Sequence, residues 1–581
     1  MIRVAAASAL ALLFAPAGAS RSAVSEAIKV DQVGYLPTRP KLAMVTDARA
    51  TGAFRVRRVR DGAEVAGGAL GPAQSDPDTG DTVRVADFST LTETGAFYLD
   101  VPGVGTSDEF DVAPDVYARA FLLTSRAFYG QRCGMAVDLA PLHPGYAHAA
   151  CHVAGTPNPD ASLHASAGAS GAVDGSGGWH DAGDYGKYVV NSGITTGELL
   201  WAYELFPERV GAVSLQIPES DNGVPDLLDE ARWNLRWMLK MQDADGGVWH
   251  KLTSERFGGF VMPEKDDGGP RYVIGTGAAP FKSSCATGDF AAVMAIAARV
   301  FRPFDPEFAR TALAAAERAW AWLAKNPAVV FRNCCGVQTG EYGDGNCADE
   351  RLWAAAELFR ATGTPEYDAY FKSNYAAGGP VLASGPPSWP DVRSLALFAY
   401  ALSRQPATDE TVRSRIRTDA AAAGADIVAR TRANPYRLSL RATDYVWGSN
   451  GVVANYGVAL ALVNLLQPDP ALLDAAAENL HYLLGRNTFA LSWVTQLGDR
   501  PYRHPHHRPS GGDANAEPWP GMLSGGPNRY GGDPVIDAMP ATPPARRYRD
   551  DQGSYASNEM AINWNAPLVF LLASLLPDPA R

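Results

Sequence analysis

Two carboxylates three residues apart are the first chemistry-bearing feature of the chain. The stretch Gly177-Gly178-Trp179-His180-Asp181-Ala182-Gly183-Asp184-Tyr185-Gly186-Lys187-Tyr188 sets Asp181 and Asp184 on one tight segment flanked by aromatic residues. Its glycines permit close backbone approach. Such a turn can aim both acids into one cavity, where like charges repel unless a water, a metal or a hydrogen bond intervenes. The same residues would also serve as an Asx-rich loop capping a helix that starts near Ser192. The rest of the chain decides between the two.

Near the C-terminus, Glu559 lies in a largely uncharged run with Tyr555 and Trp564 nearby and Pro567-Leu568-Val569-Phe570 beyond. A carboxyl in aromatic, apolar surroundings is pushed up in pKa and can stay protonated near neutral pH, as a general acid must. The competing reading is an exposed acid at a helix start. Between the acidic segments, Ser492 to Arg500 leads into Pro501-Tyr502-Arg503-His504-Pro505-His506-His507-Arg508-Pro509, with three histidines in four positions. This loop can donate hydrogen bonds to hydroxyls of a neutral polar ligand, or simply be a solvated basic loop. No carboxylate or cysteine stands at ligand spacing, so metal binding by it ranks below hydroxyl recognition.

At 581 residues the chain is too long for one ordinary core, and 46% hydrophobic with 20% charged residues describes a soluble globular protein. The formal charge of −12 argues against nucleic acid and against an anionic membrane surface. A neutral substrate suits it better. Arg3, the apolar run Val4 to Ala15 and the small residues Ala17-Gly18-Ala19 read as a signal peptide over residues 1–19, too short to span a membrane. The mature protein is therefore expected in the periplasm or the medium. The six cysteines, at 133, 151, 285, 334, 335 and 347, are too few for a disulfide scaffold. Cys334 or Cys335 to Cys347 is the expected local pairing.

The elements that must position these groups fall into two blocks. Residues 27–112 read as short strands: Phe54 to Val59 alternates, Ala96 to Val101 is rich in aromatic and β-branched residues, and Asp61-Gly62 and Pro102-Gly103 mark turns. This predicts an immunoglobulin-type β-sandwich with a supporting role. From 115 to 578 apolar residues recur at three- and four-residue steps, as in Tyr117 to Phe128, Leu227 to Met241, Phe290 to Phe301, Asp349 to Thr362 and Val452 to Leu466. About a dozen helices with few strands between them imply an all-α domain, either bundled or closed as a toroid. The long loops at 151–178, 256–284 and 501–553 are where function is expected.

Taken together, the three segments resemble glycoside hydrolase family nine, the inverting cellulases with an (α/α)6 barrel. Tyr548-x-Asp550, Tyr555, Glu559, Ala561 and Asn565-Ala566 match its acidic signature. Ser492-x-Val494-Thr495-x-x-Gly498-x-Arg500 and Pro505-His506-x-Arg508 match its histidine signature, and Trp179 to Asp184 its base motif. Ile217 to Glu230 and Tyr445-Val446-Trp447-Gly448-Ser449-Asn450 are also family-like. Val30-Asp31-Gln32-Val33-Gly34-Tyr35 is similar to the opening of the immunoglobulin-like domain that precedes some members.

The resemblance implies hydrolysis of β-1,4-glucosidic bonds with inversion, the two carboxyls standing roughly 6.5–9.5 Å apart around a water. It makes Glu559 the acid and Asp184 the base. Asp181 would help hold the water, and Asp550 would position its neighbours. His506, Arg508, Trp447 and Tyr555 become the substrate-binding candidates, on a β-glucan or cello-oligosaccharide handled by a monomer. The enzyme would need no cofactor for the chemistry. Cys133, Cys151, His152 and His180 look like the structural zinc site of some members; a Cys133–Cys151 disulfide is the alternative, and His164 competes as fourth ligand. Asp349, Glu350 and Asp391 suit calcium, although helix-start acids are equally explained by the macrodipole. An exo-acting cellodextrinase, β-glucosidase or exo-β-glucosaminidase is the alternative activity, and the absence of a legible binding module after Asn565 leans toward soluble oligosaccharides. A glycan-binding protein without turnover fits poorly with intact Asp181, Asp184 and Glu559.

Overall fold

The computed structural model describes residues 22–50 and 52–579. The leader read at residues 1–19 lies outside them. The N-terminal unit is a sandwich of two sheets. One has the strand order Ile28–Lys29, Leu42–Val45, Thr82–Asp87, Gln74–Ser75; the other runs Gly34–Tyr35, Phe110–Val112, Gly95–Val101, Ala53–Arg58, Glu64–Ala69. The alternation legible in the sequence is the pleat itself: Phe54 and Val56 are buried with Phe97 and Leu99 between the sheets, while Arg55 faces water. Asp61-Gly62 turns the chain into a hairpin in which Val56 pairs with Ala66.

Among the described residues, twelve helices of nine or more residues follow: α1 Ala118–Gly130, α2 Val189–Leu205, α3 Asp226–Lys240, α4 Ser284–Val300, α5 Pro306–Leu323, α6 Ala348–Thr362, α7 Pro365–Asn374, α8 Arg393–Ala401, α9 Glu410–Ala433, α10 Ser449–Leu466, α11 Pro470–Leu483 and α12 Ile562–Leu575. The even-numbered helices form the inner ring, and of these α2, α4, α10 and α12 are buried on nearly every side. The outer helix α9 instead buries one stripe, Val412, Ile416, Ala420, Ile427 and Val428. Helices α12, α2, α4, α6 and α8 pack in succession, and α10 packs on α12. The long α9 touches both α8 and α10 and closes the ring. The result is an (α/α)6 barrel.

Two expectations change. Helix α2 begins at Val189 rather than near Ser192. The disulfide is Cys285–Cys347, not Cys334 or Cys335 to Cys347. Cys285 sits at the start of α4 and Cys347 caps α6, and the side-by-side packing of these inner helices brings their Cα atoms to 4.5 Å across 62 residues of sequence. Proximity along the chain is no guide where a barrel sets the neighbours.

The sandwich and the barrel meet through buried and half-buried polar contacts. Asp31 pairs with His481 at 2.7 Å, Tyr117 donates its hydroxyl to the Gly34 carbonyl, and Gln32 donates to the carbonyl of Ala490. Asp81 accepts from Thr488 at 2.8 Å and from Arg546 at 2.6 Å. These contacts anchor residues 481–500, which run directly into the histidine loop.

Candidate active site

Three segments remote in sequence interlock at one end of the barrel. A four-stranded sheet ordered Ser162–Leu163, Arg271–Ile274, Lys251–Ser254, Lys187–Tyr188 leads the Asp181–Asp184 segment into α2. The Asp181 carbonyl accepts from Ile562 N at the start of α12, and the Gly183 carbonyl accepts from Arg508 N and Nη1 at 3.0 and 2.9 Å. His506 pairs through its backbone with Glu559 in a short parallel bridge. A Cβ on Gly183 would fall 1.9 Å from the His506 carbonyl oxygen, so only glycine lets the segments touch.

This interlock lines a cavity of about 910 Å³ with Asp181, Asp184, Glu559, His506, Arg508, Trp447 and Tyr555. Glu559 opens to the cavity but is enclosed by protein elsewhere. Burial, then the charges of Asp184 and Asp181, push its carboxyl well above the usual range; Arg508 and the Gly183 N–H only partly offset this. Asp181 is pushed up to about 8 by burial and by Asp184, against the pull of the Asn191 amide on Oδ1 at 2.5 Å and the Tyr342 hydroxyl on Oδ2 at 2.7 Å. Asp184 Oδ2 accepts from the Gly186 N–H at 2.9 Å and faces the Tyr188 hydroxyl at 3.4 Å. Neighbouring carboxyls held in differing environments are the arrangement that acid–base hydrolysis uses.

The histidine loop behaves in two ways. The His506 ring donates from Nδ1 to the Gln552 carbonyl at 2.7 Å, and burial lowers its pKa, which leaves Nε2 as an acceptor for a ligand hydroxyl. Arg508 spends much of its fork on the backbone, binding the carbonyls of Gly183 and Gly258 while its guanidinium lies 5.5 Å from the rings of Phe257 and Phe260. Asp550 stands off the cavity wall. Its oxygens take the N–H groups of Arg503 and His504 at 2.8 Å each and the Asn558 amide at 3.0 Å, tying the histidine loop to the Glu559 segment. Trp447 is 45% exposed and lies 5.7 Å from Tyr555. Sequence reasoning missed Tyr342, Asn191 and the cavity-facing rings of Phe257 and Trp389; a Tyr or Asn carries no local signal that it will meet Asp181.

Cys133, Cys151, His152 and His180 converge, buried, with their ligand atoms within 4.8 Å of one another. Both thiols are unpaired, and His152 Nε2 meets the Asp266 carboxylate at 3.2 Å, the partner that orients a ligating imidazole. The set fits a soft divalent metal. His164 is elsewhere, bonded to Ser166 and facing Glu255. A second polar cluster surrounds the start of α6. Glu350 and Asp289 have both carboxylate oxygens buried without a partner, and Asp349 and Asp344 one each. Asp391 lies beside this cluster with its oxygens on Ser384 and the Arg393 N–H.

With this geometry in view, residues 117–572 match the family model of glycosyl hydrolase family 9, and residues 23–106 match the cellulase N-terminal ig-like domain. The chain belongs to glycosyl hydrolase family 9. Endoglucanase D of Acetivibrio thermocellus is 39% identical over 551 residues, covering 94% of this chain and 83% of that protein. The xyloglucan-specific endo-beta-1,4-glucanase BoGH9A of Bacteroides ovatus is 36% identical over 576 residues, 95% of this chain and 94% of its own. Among solved structures, the family 9 endoglucanase J30 and a Zn-binding triple mutant of it each superpose with a TM-score of 0.87 at 35% identity, over 94% of this chain and all of theirs. This family 9 chain is thus a cellulase-like glycoside hydrolase.

Proposed function

We propose that the protein is an exported, monomeric endo-β-1,4-glucanase that cleaves cellulose or cello-oligosaccharides with inversion. Glu559 protonates the leaving oxygen, Asp184 activates the attacking water on the opposite face, and Asp181 helps hold that water. His506 Nε2 accepts from a sugar hydroxyl, Arg508 fixes the wall behind it, Trp447 and Tyr555 offer rings to pyranose faces, and Asp550 positions the histidine loop. The chemistry is carried by side chains and one water. The reading is supported above all by one observation: Asp184 and Glu559, 375 positions apart in the sequence, line a single cavity with the pKa of Glu559 raised.

An insoluble polymer cannot enter a cell, which supports export through the leader at 1–19. We take 27–112 and 115–578 as the sandwich and barrel domains. Cys133, Cys151, His152 and His180 would hold a structural zinc, the metal that a two-sulfur, two-nitrogen set suits best. It would brace His180, next in sequence to Asp181. Asp344, Asp349 and Glu350, with Asp391 adjoining, would hold calcium, since unpartnered buried carboxylate oxygens are hard donors. Proton NMR of fresh cellohexaose digests tests the mechanism: the α-anomer is expected first. The β-anomer first would overturn inversion and with it the base role of Asp184.

A further inference from the structure

Six cysteines are accounted for in pairs. Cys285 and Cys347 are bonded, Cys133 and Cys151 are buried in the metal cluster, and Cys334 and Cys335 stand together on a turn at the cavity rim. Their Sγ atoms are 2.9 Å apart. Cys335 is exposed and Cys334 half-buried, packed against Gly277 so closely that a Cβ there would meet its sulfur at 2.6 Å.

The turn belongs to a segment that furnishes much of one cavity wall. Asn333, Gln338, Thr339, Gly340 and Glu341 line the cavity, and Tyr342, which donates to Asp181, comes next. Inside the segment the Gln338 N–H donates to the Glu255 carbonyl at 2.7 Å, the Asn333 amide donates to the Thr339 carbonyl at 2.7 Å, and a buried lysine adds a further brace. Lys251 Nζ donates to Asn333 Oδ1 at 2.8 Å, to the Gly340 carbonyl at 2.6 Å and to Thr339 Oγ1 at 3.2 Å. Between these anchors residues 334–337 form a turn in which the Cys334 carbonyl accepts from Val337 N at 3.1 Å. That turn holds Cys335 at φ +60° and Gly336 at φ +96°. A cysteine side chain disfavours that left-handed backbone, so the turn is strained unless something else holds it.

We propose that Cys334 and Cys335 are a modification site: they are oxidised by a small-molecule disulfide to an adjacent-residue disulfide that locks the rim of the substrate cavity. The thiolate of exposed Cys335 attacks one sulfur of the oxidant and releases the first small thiol. Cys334 then attacks the Cys335 sulfur and releases the second. One S–S bond is broken and one formed, and the two protein thiol protons end on the two released thiols. Burial and its neighbour hold the Cys334 thiol up at about 11, consistent with Cys335 reacting first. With the sulfurs already side by side, closing the ring moves each by only a fraction of an ångström toward the roughly 2.05 Å bond. The ring therefore fixes the wall in the shape that lines the cavity.

The test uses the full chain equilibrated with oxidised glutathione, then compared with and without a phosphine reductant. Mass spectrometry is expected to find the peptide carrying both cysteines lighter by two hydrogens, with no glutathione attached. Reduction is expected to raise KM for cellohexaose 2- to 5-fold with kcat within 2-fold. A Cys334→Ser/Cys335→Ser variant is expected to show the higher KM in both conditions, which separates this site from Cys285–Cys347. Two free thiols, a stable mixed disulfide, or a KM that reduction leaves unchanged in the wild type would each overturn the proposal.

Discussion

Replacing Glu559 by glutamine should cost activity and add stability. The carboxyl is enclosed, flanked by Asp181 and Asp184, and pushed well above its ordinary pKa, so the folded protein disfavours its ionised form. Each unit of that elevation costs about 1.4 kcal/mol once the group is forced to ionise. The sign follows from linkage: a folded pKa above the unfolded value gives stability that is present at low pH and lost as pH rises through the folded pKa. Glutamine keeps an acceptor for the Gly183 N–H and never ionises. The variant should therefore match the wild type below about pH 4, near the free-glutamate pKa, and melt progressively higher than it as pH rises. Its rate on cellohexaose should fall by about 10²–10⁴, the usual worth of a positioned general acid. A dinitrophenyl cellobioside, whose leaving group needs no proton, should lose far less. Calorimetry from pH 4 to 9 and steady-state rates on both substrates check this. A variant less stable than the wild type at pH 8, or one whose two substrates suffer alike, would refute the assignment.

Three other outcomes follow from the same geometry. Tyr342→Phe removes the hydroxyl bound to Asp181 and should lower kcat about 2- to 12-fold, the kinetic equivalent of a 0.5–1.5 kcal/mol hydrogen bond, with circular dichroism unchanged. Asp550→Ala frees the backbone of Arg503 and His504 and should raise KM by shifting His506, read in full saturation curves. Cys133→Ser should abolish bound zinc in elemental analysis of dialysed protein and lower the melting temperature, whereas a metal content equal to wild type would remove this cysteine from the ligand set.

Much of the barrel was legible because its helices carry apolar residues at three- and four-residue steps. Val452 to Leu466 is interrupted only by Asn455, Gly457 and Asn464, and Asp349 to Thr362 opens with acids and then runs largely apolar. Helix α9 went unread: Ala, Thr and Arg crowd Glu410–Ala433, and its buried stripe is thin. Asp181, Asp184 and Glu559 stood out because fixed spacing within each short segment survives folding. What could not be read were contacts made only across the barrel. Tyr342 reaches Asp181 over 161 positions, and Cys285 reaches Cys347 over 62. Arg508 shows the subtler limit, since its residue type announces a donor and only its surroundings reveal that backbone carbonyls take much of its capacity.

The buried Asp31–His481 pair and the grip of Asp81 on Thr488 and Arg546 bear on whether the two units can be separated. Cutting the sandwich away would leave His481 on what had been a dry face and slacken the stretch that feeds the histidine loop. Swapping in a foreign front module would succeed only where it brings matching acids for the same three receivers.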